Sequence, residues 1–536
     1  MDTTLIGQKL LLAFQGKEPT QEIVDALRKF RPAGLTFFRS LNIDDPAQVR
    51  RLTDALQRLA RDFDLPPLLI AADQEGGQLM AIGKGTTPLP GNMALGATGS
   101  PELARMAGEV LGRELAAMGI NVNYAPSCDV NINPQNPVIG IRSFGEDPNA
   151  VAQLASAMIE GIQSQGVAAT AKHFPGHGDT DGDSHHGLPS VPHTLERLQQ
   201  VEFPPFQAAI ASDAKLMMTA HLALPVIDGP DAPPATLSRR ILCDLLRKEL
   251  GFEGVIVTDA MDMKAIRQGD ALGEDAIKAV AAGADLLLLT SNPRDQQHVH
   301  ESLVSAIQKG ELDAESTTES IERILSLKHW MAKYSQPDLS VVGCAKHLAV
   351  ADKIAECSIT LVRDDADILP LRLNSEQRMA VVIPKPIDLT PADTSSYITP
   401  KLGTALREYY ANVDEYQISY APETDEISSL LERLQNYDML IIGTLNAYAS
   451  PNQAGFVQQA LKLGIPSVAV ALRLPYDLTV FPEAQTYICT YSILEPSMRA
   501  LAKALFGRIK FEGKLPVSIP GIYASGYGKN LETGAS

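Results

Sequence analysis

The segment Lys172-His173-Phe174-Pro175-Gly176-His177-Gly178-Asp179-Thr180-Asp181-Gly182-Asp183-Ser184-His185-His186 holds four histidines, three aspartates and three glycines. Within it, Asp183-Ser184-His185 sets a carboxylate two residues from an imidazole. At that separation the aspartate can accept a hydrogen bond from one ring nitrogen, which fixes the tautomer and raises basicity; the other nitrogen is then free to shuttle a proton. A second candidate is Asp259, which directly follows the strand-like run Val255-Ile-Val-Thr258. An aspartate in that place can cap a following helix. Set opposite the histidine cluster across a barrel mouth, it is a candidate carboxylate nucleophile. Lys172 and His173 are donors for hydroxyls or an amide, and Arg142 is a forked one. Asp73 can accept two hydroxyls at once. Such a ring of charged hydrogen-bonding groups suits a carbohydrate better than an apolar ligand. For Glu75 and Asp262 local capping is the expected role.

Three other chemistries fit the cluster less well. The histidines and aspartates suggest a metal, yet their spacing matches no zinc pattern and His173 and His177 do not share a helix face. Asp179-x-Asp181-x-Asp183 resembles the start of a calcium loop, but the sixth position is Ser184 where glycine is needed and the twelfth is Ser190 where glutamate is needed. Gly176-His-Gly178 lacks the GK[ST] that completes a phosphate-cradling loop. No metal or organic cofactor is expected.

The elements that must position these groups are legible from periodicity. The segment is too polar and glycine-rich for core and reads as a loop, hanging from the apolar strand that ends at Lys172. Strand candidates are 10–14, 34–38, 68–72, 121–125, 167–172, 215–220, 254–258 and 285–289. Amphipathic helices fall between them over 21–30, 46–63, 101–118, 149–165, 195–212 and 238–250. Asp45-Pro46, Asp147-Pro148 and Ser238 supply caps and first-turn prolines. Eight such alternations predict a (β/α)8 TIM barrel, with a doubly wound sheet as the alternative. The barrel demands chemistry at strand ends, and polar groups stand at one strand end after another: Asp73, Asp129, Lys172-His173, His221 and Asp259.

The helical pattern breaks around Tyr334–Ser340, so the expected layout is a catalytic barrel over 1–336, a linker over 337–345 and an α/β/α sandwich over 346–536. Its strands are expected at 358–362, 379–383, 439–443, 467–472 and 486–490, all of the parallel, buried type; helices are expected over 400–410, 426–436 and 451–463. A net charge of −18 excludes polyanion partners such as nucleic acid or an acidic membrane, and favours a small neutral or cationic substrate. Five dispersed cysteines with no CxxC pair, and no leader or membrane-span pattern, point to a cytoplasmic protein. The oligomeric state is not encoded legibly.

Together, Asp73-Gln-Glu-Gly-Gly77, Leu89-Pro-Gly-Asn-Met-Ala94, Asn136-Pro-Val-Ile-Gly-Ile-Arg-Ser-Phe-Gly145, Lys172-His-Phe-Pro-Gly-His-Gly-Asp-Thr180, Asp183-Ser-His185, Met218-Thr-Ala-His221 and Val257-Thr-Asp-Ala260 resemble glycoside hydrolase family 3. The Lys-His-Phe-Pro-Gly-His-Gly…Asp-Ser-His form is similar to its β-N-acetylglucosaminidase branch. The likeness extends through Ser358–Arg363, Leu369-Pro370 and Gly513–Val517. It implies an exo-acting, retaining hydrolysis of terminal N-acetylglucosamine from chitooligosaccharides or muropeptide fragments. In that scheme Asp259 is the nucleophile, and His185 is the acid/base with Asp183 as its partner. Asp73, Arg142, Lys172 and His173 match sugar-holding positions, and the loop carrying the dyad is expected to close over substrate. Phosphorolysis or transglycosylation on the same site, or another family 3 β-glycosidase activity, are the alternatives. Relatives commonly carry an arginine just after Asp-Gln-Glu-Gly-Gly, where this chain has Gln78-Leu-Met-Ala-Ile82. One sugar-facing contact is therefore absent or supplied from elsewhere, such as the second domain.

Overall fold

The computed structural model describes residues 3–180, 182 and 187–531. Eight short parallel strands form the first sheet: β1 (Leu10–Leu12), β2 (Gly34–Phe37), β3 (Leu69–Ala72), β4 (Val122–Asn123), β5 (Ala168–Phe174), β6 (Leu216–Thr219), β7 (Val255–Thr258) and β8 (Leu287–Leu289). They pair in chain order, and β8 pairs back with β1. A parallel bridge between Val257 and Leu286, with the Thr258 N–H donating to the Leu286 carbonyl at 2.9 Å, brings β7 against β8 and closes the ring.

Period-two alternation decides which side chains fill the barrel. Leu69 and Ala71 of β3, Val255 and Val257 of β7, and Leu286 and Leu288 at β8 cluster inside with Tyr124 and Met218. Their neighbours Ile70, Ala72, Ile256, Leu287 and Leu289 pack outward into the helix layer. Both faces are thus dry, which is why these strands read as nearly continuous apolar runs. Each fully buried Leu or Ile contributes about 1.5–3 kcal/mol.

The caps fall where the sequence places them. Asp45 accepts from Gln48 N–H at 2.9 Å, Asp147 from Asn149 N–H at 2.8 Å, and Ser238 from Ile241 N–H at 3.2 Å. The helix expected over 195–212 is instead two, Leu195–Gln200 and Phe203–Ala211. Pro204 and Pro205 explain the split, since proline has no N–H and clashes with a preceding helical turn. The second helix sets Phe203 and Phe206 against Phe174 at the end of β5, with ring centroids 6.3 and 5.3 Å away.

The second sheet has six strands: β9 (Thr360–Asp364), β10 (Met379–Pro384), β11 (Val413–Ile418), β12 (Met439–Thr444), β13 (Ser467–Ala471) and β14 (Thr486–Cys489), in the order β9-β14-β13-β12-β10-β11. The all-parallel expectation fails at β9, an edge strand antiparallel to β14. The stretch before it, Ala345–Ser358, is a helix. Edge strand β11 was not expected, because its Asp-Glu-Tyr-Gln centre is largely exposed and lacks a long apolar run. Helix Ala345–Ser358 joins the two cores: Val350, Ala351 and Ile354 pack with the barrel's helix layer, and Ala355 packs with the second sheet. Among the described residues no helix is long and apolar enough to cross a membrane.

Candidate active site

A cleft of about 660 Å³ opens at the carboxyl ends of the barrel strands. Asp73, Arg142, Lys172, His173 and Asp259 all line it, brought together from strands β3, β5 and β7 and the long loop after β4. Asp183 and His185, with Asp181, Ser184 and His186, lie outside the described residues. They follow β5, the strand that carries Lys172 and His173 into the cleft.

One wall is a four-residue ion cluster. Lys172 Nζ lies 2.6 Å from Asp73 Oδ1 and 2.7 Å from Glu75 Oε1. Arg142 grips Glu75 with a fork, Nη2 to Oε1 at 2.7 Å and Nε to Oε2 at 3.1 Å, and its Nη1 donates to the Val138 carbonyl at 3.3 Å. Glu75 is therefore no local cap; it is the buried anion on which both cations sit. Burial alone would raise its carboxyl, but Arg142 and Lys172 hold it down to about 2. Burial likewise opposes the charge on Lys172, and Asp73 and Glu75 more than offset it, so the ammonium is raised. Asp73 keeps 27% of its side chain exposed, whereas Lys172 and Glu75 keep 2% each, so the aspartate is the member that faces a ligand.

Asp129 is the hub of the adjoining wall. It is fully buried and accepts from the His173 ring Nδ1 at 2.7 Å, the His173 N–H at 3.2 Å, the His177 N–H at 2.7 Å and the Ser127 hydroxyl at 2.9 Å. Burial disfavours its charge, yet His173 and His177 keep it well below the usual carboxylate range. A carboxylate at Nδ1 keeps the proton on that nitrogen and leaves Nε2 as the other pole of the ring. His177 is more than loop structure: it lines the cleft, and burial lowers its imidazole to about 4. Gly178 is needed for close approach, since a Cβ there would lie 1.9 Å from the Val130 carbonyl oxygen. Asp179 faces away from this group, pairing with His193 at 2.6 Å.

Asp259 stands at the end of β7 and its Oδ1 accepts from the Ala260 N–H at 2.7 Å. It caps no helix, because the next one begins at Ala271. Asp262 lines the same cleft. Tyr124, also in the lining, bonds Thr36 at 2.8 Å. Among the described residues no group of three or more His, Cys, Asp or Glu is gathered as a cation would need.

Besides Glu75, sequence reasoning missed two contributors. Asp129 carried the signal of a strand-end acid but had no assigned task. A further wall comes from residues 388–397, after β10, which the barrel pattern could not foresee. Gln78, standing where relatives commonly have arginine, is tied to that segment: its carbonyl accepts from Thr394 N–H at 3.0 Å and its Nε2 donates to the Ala392 carbonyl at 3.1 Å.

The sequence pattern described as "Glycosyl hydrolase family 3 N terminal domain" matches residues 5–327. Beta-hexosaminidase A of Pseudoalteromonas piscicida is 31% identical, over 96% of this chain and 96% of its own. A beta-hexosaminidase of Pseudomonas aeruginosa is 37% identical over 53% of this chain and 82% of its own. The solved glycoside hydrolase family 3 beta-N-acetylglucosaminidase from Paenibacillus sp. str. FPU-7 matches with a TM-score of 0.90 at 37% identity, covering 96% of this chain and 98% of that one. Barrel, strand-end cleft and these likenesses together define a glycoside hydrolase. The chain belongs to glycosyl hydrolase family 3.

Proposed function

We propose that this protein is an exo-acting, retaining β-N-acetylglucosaminidase that releases terminal N-acetylglucosamine from chitooligosaccharides or muropeptide fragments. The observation that carries the reading is the convergence of Asp259, from β7, with the Asp73–Lys172–Glu75–Arg142 cluster and His173 in one cleft. The names borne by the relatives support the choice of sugar.

In this scheme Asp73, Arg142, Lys172 and His173 hold the hydroxyls and the acetamido group. The Asp259 carboxylate attacks the anomeric carbon as the glycosidic C–O bond breaks, and His185 gives its proton to the departing oxygen. The products of this step are a glycosyl ester on Asp259 and a free aglycone alcohol. Asp183 holds the imidazole for that transfer. His185 then takes a proton from water, whose oxygen attacks the same carbon; the ester breaks, and the sugar leaves with its original configuration.

The test is a substrate panel of β-N-acetylglucosaminides against β-glucosides, with chitobiose and a muropeptide fragment, in phosphate-free and phosphate-containing buffer. The reading expects N-acetylglucosamine as product and a clear preference for N-acetylglucosaminides. Sugar 1-phosphate as the main product, or faster turnover of β-glucosides, overturns it.

A further inference from the structure

The segment 388–397 is held rigidly along most of its length. Arg473 donates to Asp393 Oδ2 from Nη1 and Nη2, both at 3.0 Å, reaches the Ser395 hydroxyl at 3.1 Å, and also bonds Gln78 Oε1. Thr394 Oγ1 donates to the Gln78 carbonyl at 2.8 Å. Asp388 accepts from the Ser396 N–H and hydroxyl, each at 2.7 Å. At the end of this braced segment stands Tyr397, which lines the cleft and yet is 59% exposed, the largest exposure of any large hydrophobic residue among those described.

One face of that ring is occupied. The Arg39 guanidinium lies 4.0 Å from its centroid, within cation–π range. Arg39 is itself fixed from the barrel side: Nη1 donates to the Met80 carbonyl at 2.9 Å. The guanidinium also packs so closely on Gly83 that a Cβ there would come within 2.6 Å of Nη1. A ring steadied by a cation on one face and more than half exposed leaves π surface available to a ligand. The C–H bonds on one side of a pyranose carry slight positive charge, so a sugar lies flat on such a surface by the same quadrupole attraction that orders aromatic pairs.

Depth assigns the sugar. Lys172 and Arg142 sit buried beside Asp73, so the ring they hold fills the closed end of the cleft. The leaving group must project toward the rim, where Tyr397 stands. We propose that Tyr397, braced by Arg39, is the platform for the leaving-group sugar, a β-linked pyranose adjoining the bond that breaks. The proposal rests on the exo-glycosidase reading above.

The experiment compares two substrates whose leaving oxygens are both alkyl, chitobiose and methyl β-N-acetylglucosaminide. The readout is the ratio of their kcat/KM values in the unsubstituted enzyme, Tyr397→Ala and Tyr397→Phe. Losing the platform lowers the chitobiose-to-methyl ratio about ten-fold in Tyr397→Ala, whereas Tyr397→Phe, which keeps the ring, retains it. Arg39→Met, which frees the ring, shifts the ratio the same way by less. A ratio unchanged in Tyr397→Ala overturns the proposal, and so does an equal loss on both substrates or a Tyr397→Phe that behaves like alanine. Failure of the unsubstituted enzyme to cleave either substrate overturns the underlying activity, which is a different outcome.

Discussion

The barrel carries buried charge at both of its ends, and the two clusters are built differently. At the mouth, Asp73 and Glu75 meet Lys172 and Arg142, and Asp73 remains partly open to a cleft. At the base, Asp285 is completely buried with both oxygens taken. Oδ1 accepts from Ser320 at 2.6 Å and Arg323 at 3.0 Å, and Oδ2 accepts from Arg247 and from the Ile256 N–H at 2.8 Å. Lys9 closes the base cluster through Ser320 at 2.5 Å. The number of charged groups does not separate the two. What does is whether a group keeps hydrogen-bonding capacity directed at open space: Asp73 does, and Asp285 does not. Barrel enzymes place catalysis at the carboxyl ends of strands and leave the other end for stability, and these two clusters follow that division.

That comparison breaks most sharply at Asp259. Asp259→Asn is expected to lower kcat/KM on an aryl β-N-acetylglucosaminide by at least about a thousand-fold with thermal stability nearly unchanged; undiminished turnover sinks the nucleophile assignment. Glu75→Gln strips the shared anion from beneath Lys172 and Arg142. It should cost about 100-fold in kcat/KM through misplacement of both cations, together with about 3–5 kcal/mol of stability in urea unfolding. Asp285→Asn is the counterpart at the base: about 3–5 kcal/mol of stability is lost, while kcat/KM of the folded enzyme stays within about three-fold. If Asp285→Asn damaged turnover as severely as Glu75→Gln, the functional division between the ends would be wrong.

The smallest expected effect is on pH. Glu75 is held at about 2 in the folded chain against 4.5 when free, so its contribution is complete above 4.5 and is lost as pH falls toward 2. At the base stability also rises with pH, but from a different cause: there burial disfavours the charged form. Burial lowers Lys328, whose Nζ donates to Gln8 at 2.9 Å, to about 7. Below about 7 the folded chain bears the full cost of that buried ammonium; the cost is relieved as pH rises from about 7 toward 10.5, where the unfolded chain releases its proton as well. Urea midpoints measured at pH 6 and pH 9 should therefore rise, and rise less in Lys328→Met. An identical rise in the variant removes Lys328 as the cause.

Much of the site was legible because strand ends are. Short, nearly continuous apolar runs located all eight barrel strands, and the polar residues that follow them necessarily arrive at one rim. Asp73, Lys172, His173 and Asp259 needed no more than that, and Arg142 entered through the long loop after β4. What was illegible depended on partners distant in sequence. Glu75 looks like a cap until Arg142, 67 residues later, is placed upon it. The antiparallel β9 was hidden because a buried edge strand has the same composition in either direction. Tyr397 gave no periodic signal at all, since its position is set by Arg39, Arg473 and Gln78, none of them local.

Arg473 also imposes an order of events. The barrel's last strand and the helices after it leave the ribosome well before residue 473, and domains fold as units in that N-to-C direction. The segment around Asp393 emerges in between and has nothing to fasten it until Arg473 follows. A nascent chain thus carries a finished ion cluster beside an unfinished rim for roughly seconds to tens of seconds at ordinary elongation rates. On the reading proposed above, the platform at Tyr397 is thus the last part of the cleft to be fastened during synthesis.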